Sequence, residues 1–444
     1  MVLFLVLFLI LFLVLFLVLF LPGPQRTPGL SVDRPLERAT IDKGITVPEY
    51  HSESVNMIPR QASQRVLRLL QGFPVVTVTG PRQSGKTTLV RSLLPDRPYV
   101  TLEAPAVREF ARQRPAEFLR QFPDGAVLDE AQQAPELFSE LQGVVDETRR
   151  MGLFVLTGSQ NLALLGSISQ SLAGRTALVE LLPLSVAELR AAGALGADYA
   201  PYLVNGFFPA VHDRTRQLDA HDWLQSTLIT YVERDARQLA AIQDLSAFQR
   251  FLKLTAARTG QLLNMQSLGN DAGVSDKTVK HWLSILQTCY LVHFVRPHVA
   301  AFGKRLVKMP KLYMTDVGMA AALLGIQEPG QVMTHPLRGA LFETMVVNEL
   351  LKNRLNAGLN QPLHFWRDNV GTEVDLVIER GREVAAVEIK SGPTVASDAF
   401  GNLNKWRKYA AERGDFTAVY PALVYGGDTR FTRDGVDVMP WADL

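Results

Sequence analysis

Pro74-Val-Val-Thr-Val-Thr79-Gly80-Pro81-Arg82-Gln83-Ser84-Gly85-Lys86-Thr87-Thr88 decides the fold of this chain. Its first six residues are a β-branched run bounded by Pro and Gly, the pattern of a short strand. Gly80 to Thr87 matches GxxxxGK[ST], and Thr88 to Leu94 continues as helix until Pro95. Glycines let backbone N–H groups close around a phosphate, and the following helix N-terminus adds partial positive charge. In such a loop Lys86 reaches the β- and γ-phosphates and the Thr87 hydroxyl ligates Mg²⁺. The stretch is a nucleotide site, with ATP and Mg²⁺ as the expected ligands.

Working outward, a Mg²⁺-bound nucleotide needs a carboxylate at the end of a neighbouring parallel strand. Gly125-Ala-Val-Leu-Asp129-Glu130, 43 residues beyond Lys86, supplies it. Asp129 is expected on the metal and Glu130 as general base for the attacking water. A third strand, Gly152 to Thr157, ends in Gly158-Ser159-Gln160-Asn161. A polar side chain there senses the γ-phosphate in ATPases of the AAA type. Ser159 and Asn161 are the preferred candidates, and a helix N-cap is the competing reading. Arg175, after Gly174, is either an arginine finger acting in cis or in trans, or a surface arginine.

Beyond Pro183 the pattern turns helical. Leu262 to Leu286 then reads as helix, tight turn at Ala272-Gly273-Val274-Ser275, and helix, with Ser275 as N-cap and Val279, Leu283 and Leu286 facing a core. Lys277, Thr278, Lys280 and His281 lie on the opposite side, as a DNA-recognition helix places them. Leu291 to Tyr313 alternates like a hairpin with Gly303-Lys304 at its tip, giving a winged helix. From Lys277 to Lys311 there are seven Lys or Arg and no Asp or Glu, a footprint for DNA phosphates that includes Lys304 and Arg305. A solvated face or a protein-contact surface is the bland alternative.

The C-terminal third carries Gly371-Thr-Glu373-Val-Asp375-Leu-Val and Val387-Glu388-Ile389-Lys390 on two alternating strands joined through Glu379-Arg-Gly381-Arg382. The alternation brings Asp375 alongside Glu388 and Lys390. Two carboxylates on Mg²⁺, with a lysine to stabilise a pentavalent phosphate, make a phosphodiester hydrolysis site. Glu343, on an amphipathic helix from Leu337 to Leu351, is a further candidate metal contact. Asp…ExK with 12 residues between the acids resembles the restriction-endonuclease-like (PD-(D/E)xK) fold. Whether such a site cleaves or persists as an inactive scaffold stays open.

The 444 residues balance 46 basic against 44 acidic side chains, so any nucleic-acid contact must come from a local patch. A single cysteine, Cys289, excludes a disulfide framework and cysteine-cluster metal sites, and the cytoplasm is the expected location. Val2 to Leu21 has the length of a membrane-spanning helix, and basic residues after it would hold the chain on the cytoplasmic side. Yet the run is five tetrads, VLFL VLFL ILFL VLFL VLFL, which also fits a translated DNA repeat. Met57 opens the first segment that looks folded.

Together Phe73 to Thr87, Leu128-Asp-Glu-Ala-Gln132, Leu156-Thr-Gly-Ser159, Gly174-Arg175, Pro183-Leu-Ser185, Lys311-Leu-Tyr-Met-Thr-Asp316 and Gly339-Ala-Leu-Phe-Glu343 resemble the prokaryotic AAA-family ATPases whose C-terminal half is a domain of unknown function. The resemblance runs from about Met57 to the C-terminus and implies an α/β architecture. Its parts are an AAA-type P-loop NTPase core with helical lid (57–240), a winged helix-turn-helix (241–312) and a restriction-endonuclease-like α/β domain (313–444), after an apolar segment (1–21) and a linker (22–56). Two function classes follow. One is a DNA-responsive Mg²⁺-ATPase with a possible nuclease site. The other is a nucleotide-gated switch with an inert nuclease-like domain and a protein partner. AAA-type sites often form between subunits, so a homo-oligomer is a further expectation.

Overall fold

The computed structural model describes residues 57–159, 171–215, 217–232, 242, 244–298, 307–359, 361–414 and 416–444. The apolar tetrads, the linker, Gln160, Asn161, Lys304 and Arg305 lie outside the described residues. Among the described residues, no helix is long and apolar enough to cross a membrane.

The glycine-rich loop sits where the sequence demands. β1 (Val75–Thr79), β2 (Tyr99–Thr101), β3 (Ala126–Asp129), β4 (Phe154–Gly158) and β5 (Thr176–Glu180) pair in parallel in the order β2-β3-β4-β1-β5. Around them run α1 (Ala62–Gly72), α2 (Lys86–Leu93), α3 (Pro105–Gln113), α4 (Pro115–Arg120) and α5 (Leu137–Thr148). β1, β3 and β4 are buried along their whole length, so both sheet faces are covered and the strands read as continuous apolar runs. Val76, Val78, Val127 and Val155 pack against Val66 of α1 and Leu89 of α2. Leu128, Phe154 and Leu156 pack against Phe118, Phe138 and Leu141 on the other face. Each such side chain contributes about 1.5–3 kcal/mol of burial.

The rest of the chain packs around two buried clusters. It comprises the helices α6 (Val186–Ala191), α7 (Ala200–Asn205), α8 (Ala220–Thr227), α9 (Leu245–Ala256), α10 (Met265–Ala272), α11 (Asp276–Thr288), α12 (Val317–Leu323), α13 (Pro329–Thr334), α14 (Arg338–Ala357) and α15 (Gly401–Arg413). Its strands are β6 (Gln261–Leu262), β7 (Val292–Pro297), β8 (Lys311–Met314), β9 (His364–Arg367), β10 (Glu373–Arg380), β11 (Glu383–Lys390), β12 (Ala418–Tyr425), β13 (Phe431–Arg433) and β14 (Val436–Pro440). They form a single sheet in the order β13-β14-β12-β11-β10-β9-β7-β8-β6.

That order corrects the expected domain limits. β7 pairs antiparallel with β8 and parallel with β9, with Arg296 opposite His364, so the sheet is continuous across the supposed division. A boundary after residue 312 falls inside β8. Leu184, Phe207, Phe251, Leu286, Phe342 and Trp441 belong to the same buried cluster, so the expected lid, middle and C-terminal parts pack as one body. The fit is close where α7 meets α12: a Cβ on Gly318 would lie 2.4 Å from the Gly206 nitrogen.

Candidate nucleotide site and acidic C-terminal centre

Parallel pairing puts the C-terminal ends of β1, β3 and β4 side by side, and the predicted phosphate chemistry gathers there. The loop leaves β1 at Gly80, where a Cβ would lie 2.1 Å from the Leu181 oxygen; only glycine allows that approach. Gln83 and Gly85 also take positive φ, 60° and 92°. Lys86 is buried at the start of α2 and its Nζ donates to the Gly80 and Pro81 oxygens at 3.0 and 2.8 Å. Pro81, Arg82 and Thr88 complete the loop as expected, and Arg82 lies 3.8 Å from the Glu103 carboxylate. The Ser84 hydroxyl is buried, with no partner among the described residues.

Beside the loop the Thr87 hydroxyl donates to Asp129 Oδ1 at 2.9 Å, and the Tyr99 hydroxyl to Oδ2 at 2.7 Å. Thr157 also donates to Asp129. Glu130 follows β3 in a left-handed conformation (φ 54°), which turns its carboxylate toward β4. There the Ser159 hydroxyl donates to Glu130 Oε2 at 2.9 Å, and Gln132 donates to the same oxygen. Ser159 therefore touches the expected base. This donor set fits Mg²⁺ with a nucleotide: a hydroxyl and a carboxylate already in contact, an orphaned serine hydroxyl and a buried ammonium facing its own loop carbonyls.

Burial lowers the Lys86 ammonium to about 8, against the opposing pull of Glu130 and Asp129. Nucleotide phosphates would raise it, so binding takes up a proton when the pH lies above that value. ATP affinity is expected to be level below about pH 8 and to weaken by up to roughly tenfold per unit above it. Titrating a fluorescent ATP analogue from about pH 7 to 9.5 checks this; constant affinity over the range would mean that Lys86 is already fully charged.

For Arg175 the reading as a finger in cis is corrected. In the β1–β5 register Val75 faces Thr176, so Arg175 stands at the opposite end of the sheet from the phosphate loop. Its guanidinium grips Asp146 at 2.6 and 2.7 Å. It cannot serve as a finger for its own nucleotide.

Sequence reading missed Arg60. Its side chain is 7% exposed, donates to the Ser84 oxygen and the Leu182 oxygen at 2.6 Å each, and pairs with Glu188 at 3.1 Å. Glu188 also closes the capping box with Ser185 at the start of α6. Arg60 thus ties the phosphate loop to α6. No local pattern marks it, because its partners lie 24 to 128 residues away.

The predicted acids of the C-terminal part converge, but around an unexpected cation. The β10–β11 hairpin forms through Gly381-Arg382, and its register sets Asp375 beside Glu388. Lys390 donates to Glu388 Oε1 at 2.6 Å, and the Ile389 N–H to Asp375 Oδ2 at 2.8 Å. From β8, Lys311 Nζ lies 2.8 Å from Glu343, 2.5 Å from Glu373 and 3.7 Å from Asp375. Tyr313, two residues on, donates to Glu343 at 2.7 Å. Burial alone would lower the Lys311 ammonium, but Glu343, Asp375 and Glu373 override it and hold it above its ordinary range. Burial, with Asp375 nearby, pushes the carboxyls of Glu343 and Glu388 up.

A second Mg²⁺ on Glu343, Asp375 and Glu388 does not fit. Among the described residues, no group of three or more His, Cys, Asp or Glu is disposed to hold a metal ion. Among the described residues no partner reaches the buried Glu388 Oε2, and burial, with Asp375 nearby, pushes that carboxyl up. Lys311, counted by sequence among the DNA-facing cations, is 3% exposed and belongs to this centre instead.

The exposed side of α11 is as expected for Lys277, Lys280 and His281, whereas Thr278 is half-buried and bonded to the Ser275 cap at 2.9 Å. Val279, Leu283 and Leu286 are buried.

Comparison with known proteins places this site. Residues 72–190 match the family model described as an AAA domain. Residues 196–330 and 338–444 match two domains of unknown function, DUF8612 and DUF4143. The uncharacterized protein Rv2008c of Mycobacterium tuberculosis is 32% identical over 377 residues, which cover 84% of this chain and 81% of that protein. The chain belongs to the same family. The counterpart Mb2031c of Mycobacterium bovis matches to the same extent. This AAA-domain family member is also similar to the Walker-type ATPase PABY2304 of Pyrococcus abyssi, at 15% identity, 60% of this chain, 96% of that one and TM-score 0.44. AMPPCP-bound DnaA of Aquifex aeolicus is similar at 14% identity, over 51% of this chain and 85% of that one, with TM-score 0.27. The matched residues 72–190 are an ATP-binding P-loop core of the AAA type.

Proposed function

We propose that the protein is a Mg²⁺-dependent ATP hydrolase that acts on double-stranded DNA. The observation that carries this reading is the convergence of Lys86, Thr87, Asp129, Glu130 and Ser159 at the ends of three adjacent parallel strands. Lys86 and the loop N–H groups hold the phosphates. Thr87 and Asp129 would hold Mg²⁺, which neutralises charge on the phosphates. Glu130 takes the proton of the attacking water, and Ser159 keeps its carboxylate aimed.

We read the order α9-β6-α10-α11-β7-β8 as a winged helix through which DNA binds, with α11 as recognition helix. The phenol of Tyr290, at the end of α11, is buried beside Glu180 and Thr79, the last residue before the phosphate loop. A DNA contact on α11 therefore has a short path to the nucleotide.

ATP turnover by the wild-type chain and by Lys86→Ala, with and without duplex DNA, tests the proposal. Turnover stimulated by DNA and absent in Lys86→Ala is expected. Lys277→Ala/Lys280→Ala should lose the stimulation and lower the salt slope of DNA binding by about 2. Tight ATP binding without turnover, indifferent to DNA, would sink it.

A second reading, a nucleotide-gated regulatory switch with a protein partner, is favoured by Lys311 among the acids of the C-terminal centre. Under both readings that centre does not cleave DNA, so Asp375→Ala leaves any strand scission unchanged.

A further inference from the structure

We propose that the Lys311 ammonium is the resident cation of the centre formed by Glu343, Glu373 and Asp375, standing where a divalent ion would otherwise bind. The inference rests on the C-terminal geometry alone and is independent of the ATPase reading. Nζ lies within 4 Å of all three carboxylates, with its side chain 3% exposed. Such burial of a charge is tolerated only where opposite charges and hydrogen bonds surround it.

The placement is built into the sheet. Lys311 sits opposite Val295 of β7 and Leu262 of β6, so its backbone is held from both sides. Each acid has a further protein donor: Tyr313 for Glu343, Arg367 at 2.9 Å for Glu373, and the Ile389 N–H for Asp375. A divalent ion requires oxygen ligands at about 2.0–2.6 Å. Here Glu343 Oε1, both Glu373 oxygens and Asp375 Oδ2 already face nitrogen and hydroxyl donors that an ion would have to displace.

The charge arithmetic then makes a sharp demand. Removing the ammonium should turn a centre that refuses divalent ions into one that accepts them. Mn²⁺ binding to the nucleotide-free full chain, followed by electron paramagnetic resonance, reads this directly. Wild type is expected to show no Mn²⁺ site that Asp375→Asn abolishes. Lys311→Met should gain one, at least tenfold tighter than any wild-type binding, and Lys311→Met/Asp375→Asn should lose it again. Lys311→Met should also unfold at lower temperature, with Mn²⁺ restoring much of the loss while leaving the wild-type melting temperature unmoved. A wild-type Mn²⁺ site that depends on Asp375 overturns the proposal. So does a Lys311→Met chain that Mn²⁺ neither binds to nor restores.

Discussion

Glu130→Gln is expected to lower ATP turnover by roughly 10²–10⁴-fold, the usual contribution of a positioned general base. ATP binding should survive, because the phosphates are held by Lys86 and the loop rather than by this carboxylate. The geometry makes the substitution nearly isosteric. Ser159 donates to Glu130 Oε2 at 2.9 Å, and Glu130 N–H bonds the Thr157 hydroxyl at 3.3 Å, so an amide oxygen keeps the same contacts while losing its basicity. The left-handed backbone at Glu130 (φ 54°) is equally open to Gln, so folding is not at issue. Single-turnover hydrolysis of bound ATP separates the two effects. Turnover within a few-fold of wild type would remove Glu130 from the chemistry and leave Asp129 as the remaining carboxylate.

Lys352→Met is expected to cost about 3–5 kcal/mol, because it strands a buried carboxylate. Glu349 and Lys352, on α14, are 0% and 2% exposed and meet at 2.6 Å. Glu349 also accepts from the Val186 N–H at 2.6 Å, and Lys352 donates to the Leu184 oxygen at 2.8 Å. Those two bonds clasp the start of α6, whose Glu188 holds Arg60 against the phosphate loop. The melting temperature should fall by on the order of 10 °C, at roughly 2–4 °C per kcal/mol. Glu349→Gln/Lys352→Met should recover most of the loss, since the amide still accepts from Val186 without a buried charge. Thermal unfolding followed by near-ultraviolet circular dichroism makes the comparison; equal melting temperatures for wild type and Lys352→Met would show the pair to be solvated in solution.

The nucleotide site was legible because its chemistry is contiguous. Strand, loop and helix occupy Pro74 to Leu94, and the Asp129-Glu130 pair closes a neighbouring apolar run, so period and turn residues suffice to find them. The hairpin that sets Asp375 beside Glu388 was legible for the same reason, with a two-residue turn at Gly381-Arg382. Arg175 stayed open between a finger and a surface arginine because proximity in sequence to β5 says nothing about which end of the strand faces the nucleotide. Lys311 misled. Counted along the chain it is one more cation in a basic run, and only the pairing of β8 with β7, and of β7 with β9, carries it to Glu343, Glu373 and Asp375.

By itself, then, the amino-acid sequence determined the loop, the strands and helices, and which side chains carry charge or metal-binding capacity. The tertiary structure alone decided which distant charges meet: Arg60 with Glu188, and Lys311 with three carboxylates. The division has a physical cause. Propensity and turn chemistry act over a few residues, whereas the partner of a buried ion is set by sheet order and helix packing between segments tens to hundreds of residues apart.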